Sequence, residues 1–389
     1  MIKLHEPFIR GNEWRYVKDC LNTGWVSSAG KYVDLFEKKI AKYTGSKYAI
    51  ACINGTAALQ ISLKLVGVGK DEEVIVPSMT FIAPVNAISY NNAKPIFMDN
   101  NKYYTIDINK TLEFLNKETR TIQRNKLSIT VNKKTGKRIA ALIVVHLFGN
   151  AARLDELIDL CKKKNIPLIE DSAESIGTFY GSGRFKNKHT GTAGQIGCLS
   201  FNGNKIITSG GGGMILTDNL KIANRAKYLT TQAKDDSINY IHNDIGYNFR
   251  LSNIHAALGL AQLENLSKNI IKKKIIHSIY KSKIDKYKGL KISCASHPNK
   301  CNYWLNILEI NKRLSKKELS KIIQQFNKHG IEVRPLWYPN HLQKKYKKCQ
   351  TYKLSNVKKI YQKRLCLPSS SQLTAKQQNF ICKKLNNIF

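Results

Sequence analysis

The feature that most constrains this chain is an alternation of short apolar segments with amphipathic helical segments between residues 33 and 218. Residues 140–148 (AALIVVHLF) are apolar throughout, as in a strand that is buried on both faces. Residues 153–164 have the spacing of a helix, and residues 166–171 (IPLIED) form another apolar strand. Strands that alternate with helices usually pair in parallel. The pattern predicts an α/β fold, with a mainly parallel central sheet and helices on both faces.

The same alternation supplies the other expected elements. Short apolar segments predict strands, and the segments between them carry apolar residues three and four positions apart. In sheets of this kind, ligands bind beside the carboxyl ends of the strands. Further strands are expected at residues 47–53, 73–77, 94–99, 198–201 and 213–218, and helices at residues 33–43, 56–67 and 83–91.

Two regions depart from this pattern. Residues 119–139 are polar and contain the tetrapeptide KKTG between β-prone stretches, which predicts an inserted hairpin that turns there. After about residue 260, a long lysine-rich helical stretch leads into short strands and helices of a different character. We therefore expect a large domain over residues 1–260 and a smaller C-terminal α+β domain over residues 261–389.

The formal charge of the chain is unusually high, at +37 over 389 residues. A nucleic-acid-binding protein would cluster its lysines on one face and would bind with a steep salt dependence. Here the lysines are spread along the chain, and runs such as 162–164 and 272–274 fall on the polar faces of expected helices. We interpret the charge as solvated surface and expect no nucleic-acid partner.

The cysteines and the hydropathy of the chain indicate the cellular compartment in which the protein is expected. The nine cysteines include no CxxC pair, which favours free thiols in a reducing compartment over a zinc site. No apolar run approaches the roughly 20 residues that span a bilayer. The first residues, MIKLHEPFIRGNEW, lack the apolar core of a signal peptide. We expect a cytoplasmic protein with no metal site and no membrane partner.

The apolar segment at residues 166–171 ends in Asp171, at the edge of the sheet where ligands bind. A buried carboxylate needs a cationic partner. One such partner is the protonated ring nitrogen of a pyridine cofactor, because that proton makes the ring an electron sink. The other interpretation is that Asp171 caps the following turn through backbone amides. The segment alone leaves both interpretations open.

Lys205 lies between an apolar strand and the four-glycine run at residues 210–213. Glycines allow close approach of the backbone, and a lysine in a confined, partly desolvated site becomes a nucleophile toward an aldehyde. The alternative is a phosphate-binding lysine, although the GxxxxGK[ST] pattern is absent. Residues 53–59 (INGTAAL) indicate a strand end, a turn and a helix N-terminus, which together cradle phosphate, with Thr56 adding a hydroxyl.

Five segments occur in the order and spacing of one known family: NGTAAL, MTFIAPVNAI, IEDSAESIGT, LSFNGNKIITSGGGG and GYNFRLSNIHAALGLAQL. On these motifs the chain resembles the DegT/DnrJ/EryC1/StrS sugar aminotransferases, from residue 23 to residue 370. The resemblance implies the type I aminotransferase fold, pyridoxal 5′-phosphate (PLP) as cofactor, and a homodimer with shared active sites.

The resemblance also implies roles for individual residues. Lys205 would carry the cofactor, and Asp171 would pair with its pyridine nitrogen. Glu174, where many relatives have His or Gln, would lie near the ring hydroxyl. Phe81 would stack on the ring face, unless it is simply part of the core. The phosphate would be held by Gly55, Thr56, Ala57 and Ser200, and Asn248 or Arg250 would reach it from the partner subunit.

Lysine at position 205 favours transamination over the dehydratase branch of the family, which has histidine there. The implied reaction takes an amino group from L-glutamate, with pyridoxamine phosphate (PMP) as intermediate, to a nucleotide-linked keto-sugar. Segments such as TGWVSSAGKYV resemble the branch that serves bacillosamine- and legionaminic-type sugars, which implies amination at C4 of a 4-keto-6-deoxy-hexose, often 2-acetamido. The nucleotide can be UDP or GDP, and perosamine- and viosamine-type sugars are alternatives for the sugar. Candidate substrate contacts are Trp25, Ser27, Ser28, His189, Arg334 and Trp337.

Overall fold

The computed structural model describes residues 1–236 and 238–389. In chain order its strands are β1 (Tyr48–Cys52), β2 (Glu73–Pro77), β3 (Lys94–Met98), β4 (Thr119–Arg124), β5 (Leu127–Asn132), β6 (Ile139–Val145), β7 (Leu168–Asp171), β8 (Ile196–Ser200), β9 (Gly213–Thr217), β10 (Leu290–Ile292), β11 (Asn306–Ile310), β12 (Arg334–Pro335), β13 (Thr351–Tyr352) and β14 (Arg364–Leu367). Its helices are α1 (Glu13–Asn22), α2 (Lys31–Thr44), α3 (Gly55–Leu65), α4 (Ile82–Tyr90), α5 (Ile108–Lys117), α6 (Asp155–Lys163), α7 (Leu220–Thr230), α8 (Asn253–Glu264), α9 (Leu266–Ile284), α10 (Lys316–Lys328), α11 (Ser355–Ile360) and α12 (Ala375–Ile388).

Eight strands form the central sheet, in the order β1-β9-β8-β7-β6-β2-β3-β13. From β13 to β8 each strand runs parallel to its neighbour. At the other edge, β9 pairs antiparallel with both β8 and β1. The mainly parallel sheet that the alternating segments predicted is therefore confirmed, and the carboxyl ends of β6, β7 and β8 lie side by side.

Strand β6 shows how both faces of this sheet are covered. Successive side chains of a strand point to opposite faces. Leu142 and Val144 belong to the core on the side of α5 and α6, whereas Ile143 and Val145 belong to the core on the side of α3, α4 and α8. All four side chains are buried. Helices therefore pack on both faces, as predicted, and only the strand ends are left to meet a ligand.

Residues 119–132 form the antiparallel hairpin β4–β5. Its turn residues, Asn125 and Lys126, have φ angles of 50° and 64°, the left-handed conformation that a type I′ hairpin turn requires at both central positions. The predicted position of this turn, at KKTG, is therefore wrong. That tetrapeptide follows β5 and forms a separate turn, in which the Gly136 N–H donates to the carbonyl of Asn132 at 2.8 Å.

The second sheet has the order β10-β11-β14-β12 and is antiparallel throughout. Its core includes Tyr280 of α9 and Phe326 of α10. Two segments cross between the two parts of the molecule: β13 pairs with β3 in the central sheet, and Ile2 forms a parallel bridge with Ile331. The division into two domains near residue 260 stays a proposal.

Within the described ranges, no helix combines the length and the apolar composition that crossing a bilayer requires. The same residues include no group of His, Cys, Asp and Glu side chains that could hold a metal ion. The nine cysteines are free thiols.

Candidate active site

A cavity of about 220 Å³ lies where the carboxyl ends of β7 and β8 meet the N-terminus of α3. Asp171 and Ser200 are the last residues of their strands, and Gly55 is the first residue of the helix. This is the edge of a parallel sheet at which ligands bind. Of the residues singled out from the sequence, the cavity is lined by Gly55, Thr56, Phe81, Asp171, Glu174, Ser200, Lys205 and Trp337.

Asp171 is a buried carboxylate without a cationic partner in hydrogen-bond contact among the described residues. Its Oδ1 atom accepts a hydrogen bond from the Ala173 N–H at 3.0 Å, so the expected turn cap is present. Its Oδ2 atom accepts none within the described part of the chain, and the residue lines the cavity. Burial raises the pKa of this carboxyl, and the Ala173 hydrogen bond and the charge of Lys205 oppose the rise. One oxygen therefore stays available for a cationic ligand group.

The neighbouring residue, Glu170, holds the end of β7 in place from the opposite face. This fully buried carboxylate accepts hydrogen bonds from His146 Nε2 at 2.8 Å, from the Gly191 N–H at 2.8 Å and from the Ala193 N–H at 2.7 Å. Burial alone would raise the pKa of Glu170, but the hydrogen bond and charge of His146, with the hydrogen bonds from Tyr180 and the Gly194 N–H, outweigh it and bring the pKa to about 2. A fixed Glu170 restricts the backbone that positions Asp171.

The amine of Lys205 lies between a carboxyl and an aromatic face. Its Nζ atom is 3.7 Å from Glu174 Oε1 and 4.3 Å from the centroid of the Trp304 ring. Glu174 is itself buried, and its Oε2 atom accepts a hydrogen bond from the Phe148 N–H at 2.8 Å. Burial raises the pKa of Glu174 to about 7, against the opposing charge of Lys205. This carboxyl can therefore hold or release a proton beside the amine near neutral pH.

The N-terminus of α3 forms a cradle for an anion. The N–H groups of Gly55 and Thr56 begin the helix, where backbone donors lack partners inside the helix and the dipole favours negative charge. Ser200 lines the same wall. A Cβ atom at Gly55 would lie 2.8 Å from the Cβ of Ser200, so only glycine leaves this corner open. Size, donors and dipole together suit a phosphate group.

Ala57 follows Gly55 and Thr56, but its backbone N–H already has a partner. The side chain of Asn54 caps α3, and its Oδ1 atom accepts a hydrogen bond from the Ala57 N–H at 2.8 Å. The backbone donor that a phosphate would need is therefore already used. Ala57 is also absent from the lining of the cavity, so its role in holding phosphate stays a prediction, and the donors on the cavity wall are those of Gly55, Thr56 and Ser200.

Two aromatic rings form the outer wall of the cavity. Phe81 immediately precedes α4 and is 54% exposed, so it is not a core residue. Its ring centroid is 6.0 Å from that of Trp337, at an interplanar angle of 69°. Trp337, predicted as a substrate contact, thus borders the same space as the predicted cofactor residues. An aromatic face in the cavity that Lys205 also lines suits a planar ring.

His189 is not a substrate contact in this structure. The residue is fully buried, its Nε2 atom accepts a hydrogen bond from the Gly177 N–H at 2.8 Å, and its Nδ1 atom donates to the carbonyl of Thr190. Burial lowers the pKa of the imidazole to about 4. The rings of Tyr43 and Phe179 pack against it. A neutral histidine enclosed in this way stabilises its loop, and the predicted contact is wrong.

The remaining predicted residues lie outside the lining of this cavity. Arg334 is exposed and pairs with Glu332 at 2.8 Å. Asn248 is exposed, and the Nε atom of Arg250 is buried without a partner among the described residues. The resemblance places these last two in the site of a partner subunit. The other three predicted substrate contacts, Trp25, Ser27 and Ser28, lie in one segment before α2. Asn253 of α8 holds this segment, because its side-chain amide donates to the Trp25 carbonyl and its backbone N–H donates to the Ser27 carbonyl.

Several residues that line the cavity were not predicted. Asn202 and Asn204 precede Lys205 in the same motif, and Asn54 precedes the Gly-Thr turn as a residue type that caps helices. Those positions carried a sequence signal. Trp304 did not, because it is distant in sequence and reaches Asn204 only through the folded chain, where its Nε1–H donates to the Asn204 carbonyl at 2.8 Å.

Comparisons with known proteins identify the family to which this chain is similar. The sequence model of the DegT/DnrJ/EryC1/StrS aminotransferase family matches residues 7–386. EpsN of Bacillus subtilis (strain 168), which carries the name of a pyridoxal phosphate-dependent aminotransferase, is 33% identical over 100% of this chain and 96% of its own length. The GDP-perosamine synthase of Escherichia coli O157:H7 is 33% identical over 100% of this chain and 98% of its own. The crystal structure of a DegT DnrJ EryC1 StrS aminotransferase from Brucella abortus has a TM-score of 0.84 at 25% identity, over 97% of this chain and 95% of that chain.

Proposed function

The chain belongs to the DegT/DnrJ/EryC1/StrS aminotransferase family, whose cofactor is PLP, and we propose that it transfers an amino group from L-glutamate to the C4 keto group of a nucleotide-linked 4-keto-6-deoxy-hexose. The first candidate sugar carries a 2-acetamido group, and the nucleotide is UDP or GDP. The product is a 4-amino sugar nucleotide for surface glycans. The observation that carries the proposal is that Lys205, Asp171 and the phosphate cradle line one cavity.

The side chains around this cavity fit a pyridine ring that carries an aldehyde and a phosphate. Asp171 Oδ2 is the free acceptor for a protonated ring nitrogen, and the corner beside Gly55 would close if any side chain were added there. Phe81 and Trp337 offer ring faces. When bound, PLP supplies an electron sink for the bonds at the substrate carbon. Gly55, Thr56 and Ser200 would hold its phosphate.

Lys205 performs two tasks in the proposed reaction. With PLP bound, its Nζ atom would be the nucleophile toward the aldehyde. Once the amine of the donor has displaced it, the free Lys205 amine would carry a proton to and from the substrate carbon. Glu174, 3.7 Å away, holds a negative charge or a proton beside that amine. Its pKa of about 7 means that both forms are populated at neutral pH.

The homodimer is part of the same proposal. Asn248 or Arg250 would complete the phosphate site of the neighbouring subunit, and the unpartnered Nε atom of Arg250 supports such a role. Trp25, Ser27, Ser28 and Arg334 lie outside this cavity, so they would meet only the part of a substrate that extends beyond it. The cytoplasmic location expected from the sequence stays a prediction.

The relative named GDP-perosamine synthase supports a nucleotide-linked substrate and keeps a GDP-sugar in the test. The purified enzyme is incubated with L-glutamate and with UDP- and GDP-linked 4-keto-6-deoxy sugars, with and without a 2-acetamido group. Product mass reports the exchange of a keto oxygen for an amine, and 2-oxoglutarate is measured in parallel. Amination of at least one sugar at C4 is expected. A sugar that loses water without 2-oxoglutarate release would indicate dehydration instead, and no reaction with any sugar would refute the substrate class.

A lysine variant separates the cofactor assignment from the substrate assignment. Lys205→Ala should bind PLP through the remaining contacts but should lack the Schiff-base chromophore and turnover, because position 205 then has no amine. Lys221→Ala, at an exposed position of α7, is the matched control. A Lys205→Ala enzyme that keeps both chromophore and turnover would show that another lysine is the nucleophile.

A further inference from the structure

Trp304 is the aromatic residue on which the amine of Lys205 rests. The side chain is 1% exposed, and its ring centroid lies 4.3 Å from Lys205 Nζ. Its Nε1–H donates at 2.8 Å to the carbonyl of Asn204, the residue immediately before Lys205. Phe148 stacks on the ring, with centroids 6.3 Å apart and an interplanar angle of 17°. Trp304 therefore contacts both the amine and the backbone that carries it, and its ring cannot rotate freely.

A second buried lysine holds the backbone of this tryptophan. Lys273, on α9, is 1% exposed. Its Nζ atom donates to the carbonyl of Trp304 at 3.0 Å and to the carbonyl of Ser369 at 2.6 Å. Among the described residues it has no carboxylate partner, and burial lowers its pKa to about 7. A buried amine loses its hydration, and an apolar side chain of similar length would avoid that cost. What lysine provides at position 273, and an apolar residue cannot, is the pair of hydrogen bonds to the two carbonyls.

The contacts form a continuous chain from α9 to the reacting amine. Lys273 ties the Trp304 carbonyl to the loop after β14, and the Trp304 indole ties the Asn204 carbonyl to the same residue. A free lysine side chain has several rotamers of similar energy. In an enzyme in which that amine must leave and regain its bond in every cycle, a fixed resting position shortens the search for the reactive geometry.

We propose that Trp304 and Lys273 are positioning residues that fix the amine of Lys205 in the cavity while it is not bonded to the cofactor. Trp304 attracts the ammonium form through its ring face and fixes the preceding peptide through its N–H. Lys273 prevents the tryptophan from shifting. The inference rests on the proposed function only in that Lys205 is the nucleophile.

The test measures Lys205 directly in the full-length protein before PLP is added. Trace acetic anhydride labels free amines, and mass spectrometry of a digest gives the labelling rate of Lys205 relative to Lys110, a partly buried lysine paired with Asp99. Trp304→Leu should accelerate labelling of Lys205 by about 2- to 30-fold, the range of a cation–π contact. Trp304→Phe, which keeps a ring face and folds more readily, should give a smaller increase in the same direction.

Lys273→Met should also accelerate labelling of Lys205, and Lys272→Met, on an exposed face of the same helix, should not. General loosening of the fold would raise the labelling rate of Lys110 as well and would leave the ratio of the Lys205 rate to the Lys110 rate unchanged. A ratio that stays at the wild-type value in both Trp304→Phe and Lys273→Met overturns the proposal. In the loaded enzyme, kcat should fall while KM for the sugar changes little. Labelling needs neither cofactor nor sugar. The labelling result is therefore independent of whether any of the tested sugars is a substrate.

Discussion

The Oε1 atom of Glu174 lies 3.7 Å from the Nζ atom of Lys205, inside the cavity that Asp171 also lines. Two carboxyls therefore face one amine, and their environments differ. Glu174 accepts the Phe148 N–H and stays close to Lys205, whereas Asp171 is bonded to the turn after β7. Burial raises the pKa of both groups, that of Glu174 to about 7. The Glu174 carboxyl should consequently lose its proton near neutral pH, which changes the charge beside the Lys205 amine.

Glu174→Gln should remove this pH dependence. In the wild type, the folded state holds the Glu174 proton up to about pH 7, whereas the ordinary value of 4.5 applies to the unfolded chain. Because the folded state then binds more protons, stability falls as pH rises from about 4.5 to about 7 and is constant for this group above that. Urea unfolding of cofactor-free protein between pH 5 and pH 8 should show this slope in the wild type and a shallower slope in the variant. Parallel curves would contradict the raised pKa.

Gly55→Ala should weaken PLP binding. The new Cβ would lie 2.8 Å from the Ser200 Cβ, so the strand end or the helix must shift where the phosphate is expected to bind. Overpacking of this kind corresponds to a loss of about 5- to 100-fold in affinity, measured by titration of the apoprotein with PLP. Gly69→Ala is the matched control, because its Cβ would meet only a Glu72 oxygen at 3.9 Å. Equal PLP affinity in both variants would rule out the cradle.

His189→Leu should reduce stability without changing recognition of the substrate. The substitution leaves the Gly177 N–H buried without its acceptor, which costs about 1–3 kcal/mol. Urea unfolding and KM for the sugar are measured in parallel, with His329→Leu at an exposed position as control. A large increase in KM at unchanged stability would restore His189 as a substrate contact.

Mixed dimers test whether Arg250 acts in the neighbouring site. Lys205→Ala chains and Arg250→Ala chains should each be inactive or severely impaired alone. In a heterodimer, one of the two sites would combine an intact Lys205 with an intact Arg250 from the partner, so random mixing should recover about a quarter of the wild-type activity. Recovery is measured on the unfractionated mixture after co-expression, and a different affinity tag on each variant verifies the share of heterodimer. If Arg250 acts within its own subunit, the mixture stays at the level of the single variants.

Local sequence was enough to establish the parts of this protein that depend on neighbouring residues. Alternating apolar segments determine strands, helices and the parallel sheet, because the period of side-chain burial differs between the two elements. The positions of Asp171 at a strand end and of Gly55 at a helix start follow from the same pattern. The family motifs added the cofactor and pointed to Lys205, which the folded chain brings to the same cavity.

The tertiary structure decided which of these groups are free to act. The Asn54 side chain accepts the hydrogen bond of the Ala57 N–H, and a packed loop encloses His189. Neither contact could be predicted from the motifs in which Ala57 and His189 occur. Trp304 and Lys273 carried no local signal, because their contacts with the site join residues far apart in the chain. Hydrogen bonds and burial are satisfied between whichever groups packing brings together, and residue type alone does not specify that partner.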